Sequence, residues 1–132
     1  MTGELNMLGW SVCLGLVYVG IAATLATQQR GMKWNAGNRD GDAKPLTGAA
    51  ARADRASRNF LETFVFFAAA VLMANAMGKH TAMSALGAQI YFWTRVAYVP
   101  AYTLGIPFLR TFLWIASIVG IGMVMRAVWP GM

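Results

Sequence analysis

The run Phe60-Leu61-Glu62-Thr63-Phe64-Val65-Phe66-Phe67-Ala68-Ala69-Ala70-Val71-Leu72-Met73-Ala74-Asn75-Ala76-Met77 decides the class of fold. It is apolar along almost its whole length, with Glu62 as its one formal charge. About 20 helical residues are needed to cross a hydrocarbon core about 30 Å thick, and this run is close to that length. Three further runs resemble it, over about 5–27, 81–104 and 108–129. In lipid only helices and closed barrels satisfy every backbone group, and none of these runs alternates as a barrel strand does. The pattern predicts an all-α membrane protein: a four-helix transmembrane bundle with helices at about 5–27, 48–77, 81–104 and 108–129. The second helix is expected to start ahead of the membrane, capped by Thr47 and extended by the alanine-rich stretch before Arg58. One domain accounts for residues 1–132.

Composition agrees with that class. Hydrophobic residues make up 58% of the 132, charged residues 12%, and mean hydropathy is +0.50. A soluble domain carries about 25% charged residues. The net charge of +6 invites a nucleic-acid reading, but seven of the eleven basic residues (Arg30, Lys33, Arg39, Lys44, Arg52, Arg55, Arg58) lie in one polar stretch beside apolar runs. That clustering is what the positive-inside rule produces, and it excludes a nucleic-acid partner. Cys13 sits in an apolar run as a packing residue, so no disulfide framework exists. His80 is too isolated for a histidine metal site and is expected to be solvated in a turn. The first run carries Glu4 and no basic residue ahead of it, and it exceeds the length of a signal-peptide core, so it reads as a retained helix.

The connections set the topology. The first is long and turn-rich, holding Asn35-Ala36-Gly37-Asn38-Arg39-Asp40-Gly41-Asp42, whereas Gly78-Lys79-His80 and Gly105-Ile106-Pro107 are tight links between antiparallel neighbours. The first and third loops share the basic side, with Arg110 beside the third. This side is expected to be cytoplasmic, with both termini and the second loop outside.

Polar residues inside apolar helices mark function more often than those outside. Arg55, Asn59 and Glu62 fall on one helical face, and Arg58 is four residues before Glu62, within pairing reach. Arg95, Tyr98 and Tyr102 share a face of the third helix. A mid-segment arginine costs about 2.5–3.5 kcal/mol to insert, so Arg95 is expected to face the interior and pair with Glu62, the one acid inside a segment. Pro100 is expected to kink the helix and free a carbonyl. Arg30 ends the first helix and Arg110 opens the fourth, at the level of Arg55 and Arg58. Cations gathered beside tyrosine hydroxyls and an asparagine amide describe a pocket for a small anion. Each residue alone has a structural reading as well: interfacial anchors for Arg30, Lys33 and Arg58, an interhelical ion pair for Glu62 and Arg95, packed aromatics for Tyr98 and Tyr102.

The stretch Arg55-Ala56-Ser57-Arg58-Asn59-Phe60-Leu61-Glu62 resembles the R-A-x-R-N-x-x-E segment of the MAPEG family, the membrane-associated proteins in eicosanoid and glutathione metabolism. Arg95-Val96-Ala97-Tyr98-Val99-Pro100-Ala101-Tyr102 resembles the family's third-helix stretch. The chain looks most like the small bacterial branch, which implies a multi-pass protein of the bacterial inner membrane. The resemblance implies a homotrimer that binds glutathione between helices of adjacent subunits near the cytoplasmic face. Carried over by position, Arg55, Arg58, Asn59, Glu62, Arg95, Tyr98 and Tyr102, with Arg30 from the end of the first helix, would hold glutathione. Arg110 would stabilise its thiolate for attack on a lipophilic substrate, with no metal. The competing expectation is a non-enzymatic structural or accessory subunit that keeps the fold.

Overall fold

A computed structural model describes residues 1–129, with five helices and no strand among them. Residues 130–132, which the single-domain reading also covers, lie outside the described residues. The helices are α1 (Gly3–Arg30), α2 (Met32–Ala36), α3 (Gly48–Ala76), α4 (Ala82–Thr103) and α5 (Pro107–Val128). The four long ones are those expected from the apolar runs, with α1 beginning earlier and ending later. The five-residue α2 inside the first loop is too short for periodicity to reveal.

Three helices, α1, α3 and α5, are long and apolar enough to cross a membrane. The fourth long helix, α4, has 22 residues but falls short on apolarity, against the expectation of four such helices. Much of the cause is its interior face, where Ser84, Tyr91, Arg95, Tyr98 and Tyr102 are all buried, and exposed Gln89 adds to it. Its outward face still carries exposed Met83, Leu86 and Trp93. Pro100 lies inside α4, which runs on through it to Thr103.

Helix α1 packs on α3 and α4, while α5 packs on α4 and α3; α3 and α4 touch between them, and α1 does not reach α5. Apolar side chains gain little by leaving lipid for protein, so close packing and interhelical hydrogen bonds must hold such helices together. Both are present. Phe67, Val71, Tyr91 and Val124 have no exposed surface, and the Phe67 ring stacks on Tyr91 with centroids 4.0 Å apart. The Tyr91 hydroxyl pairs with Thr63 Oγ1 at 3.1 Å. Between α4 and α5 the backbones meet at Gly87 and Gly120, where a Cβ on either would lie 2.6 Å from the other's carbonyl oxygen.

Two left-handed glycines close the tight links. At Gly78 (φ 64°) Lys79 N–H donates to Ala74 O at 2.9 Å, and at Gly105 (φ 73°) Ile106 N–H donates to Ala101 O at 3.1 Å. Both are Schellman endings, which side chains with a Cβ disfavour. Pro107 then starts α5 at a position needing no N–H. The long first loop is tied at its neck. Gln29 Nε2 donates to Thr47 O at 2.9 Å and Thr47 N–H donates to Gln29 Oε1 at 3.0 Å. Thr47 is the N-cap of α3 as expected, but its side chain makes no cap bond.

Two local expectations change. His80 is not simply solvated: its Nδ1 lies 3.6 Å from Glu4 Oε2, and Glu4, 2% exposed, also accepts from the Ser84 hydroxyl. Cys13 is exposed on α1 rather than packed inside.

The glycine contact has a measurable consequence. Gly120→Ala is expected to lower stability in a detergent unfolding titration by about 1–3 kcal/mol, because its methyl group has no room. Gly20→Ala, with nothing within 4 Å, is expected to leave stability unchanged or slightly raised.

Candidate functional site

An open cavity of about 590 Å³ lies between α3, α4 and α5. Its lining comprises Arg55, Arg58, Asn59 and Glu62 from α3, Tyr98 and Tyr102 from α4, and Arg110, Thr111 and Trp114 from α5. Helical spacing explains the α3 contribution. Ala56, Phe60, Thr63 and Phe67 occupy its buried stripe. Arg55, Asn59 and Glu62 share a second stripe, and Glu62 follows Phe60 by two residues, about 200° around the helix. The Gly105 turn folds α5 back so that Arg110, Thr111 and Trp114, one turn of helix, face that stripe.

The wall is built from aromatic rings and cations. Arg55 Nε donates to the Tyr102 hydroxyl at 2.9 Å, and the Arg110 guanidinium lies 5.1 Å from the centre of the same ring. Tyr98 and Tyr102 sit side by side, centroids 5.4 Å apart. Asn59 Oδ1 is buried without a hydrogen-bond partner, so a donor entering the cavity would satisfy it. Three arginines against one glutamate give the lining a cationic excess.

Arg95 lies behind this wall, fully buried. Its guanidinium is 4.2 Å from the Tyr98 ring centre, 5.6 Å from Phe60 and 5.9 Å from Tyr18. None of its three nitrogens has a hydrogen-bond partner. The Tyr18 hydroxyl instead donates to the Arg95 backbone carbonyl at 2.6 Å.

Seven of the residues expected at a site therefore line one cavity: Arg55, Arg58, Asn59, Glu62, Tyr98, Tyr102 and Arg110. The expected Glu62–Arg95 ion pair does not form among the described residues. Glu62 faces the cavity while Arg95 is enclosed by rings, because the two α3 stripes point in different directions. Arg58 pairs along its helix with Asp54 at 3.1 Å, not with Glu62. Arg30 is not part of the cavity wall; its Nε donates to Lys44 O at 2.8 Å. Sequence reasoning missed Thr111 and Trp114, although Trp114, four residues after Arg110, falls on its side of a helix. It also missed Tyr18, which no motif marks. Among the described residues, no three or more His, Cys, Asp or Glu side chains gather as a metal site.

The isolated cation behind the wall leads to a prediction. An unpaired buried donor costs about 1–3 kcal/mol, more when charged, so Arg95→Met is expected to raise the unfolding midpoint in detergent. A lowered midpoint, with the mutant protein still monodisperse, would show that the aromatic cage more than offsets desolvation.

The sequence model of the MAPEG family matches residues 7–129, nearly the whole chain. No curated protein and no solved structure matches it. The matched region contains all four long helices except the first four residues of α1, and every residue of the cavity wall, and the chain belongs to the MAPEG family.

Proposed function

We propose that this protein is a glutathione-dependent membrane enzyme that joins glutathione to lipophilic electrophiles or reduces lipophilic hydroperoxides. The observation that carries the reading is the cationic cavity between α3, α4 and α5. Glutathione offers two carboxylates, one ammonium and one thiol. Arg55 and Arg58 suit the carboxylates, since guanidinium forks bind them at two points. Glu62 and the unpartnered Asn59 Oδ1 suit the ammonium. Tyr98 and Tyr102 fix the bound tripeptide against the wall, with Arg95 supporting Tyr98 from behind.

Arg110 is assigned to the thiolate. A thiol with pKa about 8.5 is mostly protonated at neutral pH, and a neighbouring cation shifts it toward the nucleophilic form. In transfer, the sulfur bonds to an electrophilic carbon as that carbon's bond to a leaving group, or its π bond to the next carbon, breaks. The thiol proton passes to solvent or to the atom that takes the released electron pair. The family includes glutathione transferases and peroxidases, among other members, which supports the class of reaction.

The same reading takes the protein as a four-helix transmembrane bundle assembled as a homotrimer. Helix α4 crosses the membrane with its polar face turned inward. In the trimer, Arg30 of the adjacent subunit completes the cavity from its open side. The first and third loops face the cytoplasm and both termini face outward, in a bacterial inner membrane.

Isothermal titration of the detergent-solubilised protein with glutathione is expected to give saturable binding. Glu62→Ala and Arg55→Ala should each weaken it by about tenfold or more, as expected for charged groups that hydrogen-bond a ligand. Arg110→Ala should lower kcat for conjugation with little effect on glutathione affinity. If the intact wild-type assembly shows no binding, the glutathione reading fails and an accessory structural role replaces it.

A further inference from the structure

The end of the bundle away from the cavity carries a second set of ionisable side chains, which the glutathione chemistry does not use. Ser84 and Tyr102 are eighteen residues apart on α4, about 27 Å at 1.5 Å per residue. Glu4 stands in the first turn of α1 with 2% of its surface exposed. Its Oε1 accepts from the Ser84 hydroxyl on α4, and its Oε2 lies 3.6 Å from His80 Nδ1 in the α3–α4 link. Ser84, fully buried, is half of a capping box: its Oγ accepts from Thr81 N–H at 2.9 Å, while Thr81 Oγ1 accepts from Ser84 N–H at 3.0 Å. By taking the Ser84 proton, the carboxylate of α1 becomes part of the cap of α4. A helix start, with its unpaired N–H groups, is where a negative charge is favoured.

The contact with His80 is of another kind. At 3.6 Å it is too long for a hydrogen bond, so its strength depends on whether the ring is charged. Histidine changes charge between about pH 5 and 8, and His80 is the one histidine in the chain. Its side chain is 32% exposed, so the ring can exchange protons with solvent although Glu4 is shut away. The surrounding elements bring no competing charge. Helix α3 has no ionisable side chain after Glu62, and α4 has none before Tyr91. On α1 the next ionisable group is Cys13, and α5, with Arg126 in its last turn, does not reach α1. Lys79 and the amine of Met1 are the other titratable groups nearby in sequence, and among the described residues His80 is the charged group that acts on Glu4.

We propose that Glu4, Ser84 and His80 form a proton-operated clasp, which draws the first turns of α1 and α4 together when His80 is charged and loosens them when it is not. In the closed form the imidazolium neutralises a carboxylate enclosed by protein. In the loosened form that carboxylate has no counter-ion, a state that burial penalises, and its turn of α1 moves toward water. Ser84 has a second acceptor for its proton, Thr81 O at 2.9 Å, so the cap of α4 survives the opening. The ion pair therefore contributes stability below the histidine range and loses it as pH rises through that range. This inference is independent of the glutathione reading.

Thermal unfolding of the detergent-solubilised protein at about pH 5.5 and about pH 8 tests the clasp. Wild type is expected to melt about 3 °C or more higher at the acid pH. His80→Gln and Glu4→Gln should each abolish that difference, while Lys79→Gln should keep it. Hydrogen exchange locates the effect. At the acid pH, amides of residues 7–12 in His80→Gln should exchange about fivefold faster than in wild type, with α5 unchanged, and at the higher pH the two proteins should agree. A melting difference that survives in His80→Gln overturns the proposal and points to the Met1 amine. A wild type that is equally stable at both pH values, or more stable at the higher one, also overturns it. So does faster exchange spread evenly over all the helices. If Glu4→Gln fails to fold, the melting and exchange of His80→Gln still give the answer.

Discussion

A guanidinium with no exposed surface and no hydrogen-bonded nitrogen is the constraint around which the rest of this molecule is arranged. Charge in an apolar interior is costly, and here the electron-rich faces of Tyr18, Phe60 and Tyr98 offset part of that cost. Those rings come from α1, α3 and α4, so one side chain sets the mutual placement of three helices. The Tyr18 hydroxyl adds a second tie through the Arg95 carbonyl. Tyr98 has its other side at the cavity and stands beside Tyr102, which holds Arg55. The wall of the cavity is therefore anchored to the cage behind it, and its cations are presented by a supported surface.

The sequence was most legible where periodicity alone suffices. Spacing puts Arg55, Asn59 and Glu62 on one face, and the structure finds all three on one cavity wall. Gly78 and Gly105 announce tight turns, and both adopt the backbone that a helix ending of this kind requires. What spacing cannot settle is the rotation of one helix against another. Glu62 and Arg95 look like partners by charge and depth, yet α3 is turned so that Phe60 meets Arg95 and Glu62 does not. The same limit hid Tyr18, whose importance comes wholly from what lies across from it. Glu4 likewise reads as a stray terminal charge until Ser84 and His80 are found beside it.

The division of labour among helices follows from composition. Helix α4 is the one long helix among the described residues without a stretch apolar enough to count as a span, and the three that have one pack around it. Its contact with α5 depends on the absence of side chains at Gly87 and Gly120, which lets the two backbones approach more closely than any other residue would permit. That close seam lies far along both helices from Tyr102 and Arg110. The helices can thus be locked at one end while leaving room for a cavity at the other. Family membership extends over nearly the whole of this arrangement, including every side chain of the cavity wall.

The reciprocal Gln29–Thr47 bonds change how the first loop should be regarded. Everything between those two residues hangs from a closed neck, held further by Arg30 on Lys44 O. The sixteen residues from 31 to 46 are in effect an appendage, and the ends of α1 and α3 are joined without them. Severing or lengthening the loop at Gly41 would leave the helix pair in place, because the chain's covalent path and its mechanical path part company at Gln29. The protein can carry a variable segment there while its buried cage and cavity stay as they are.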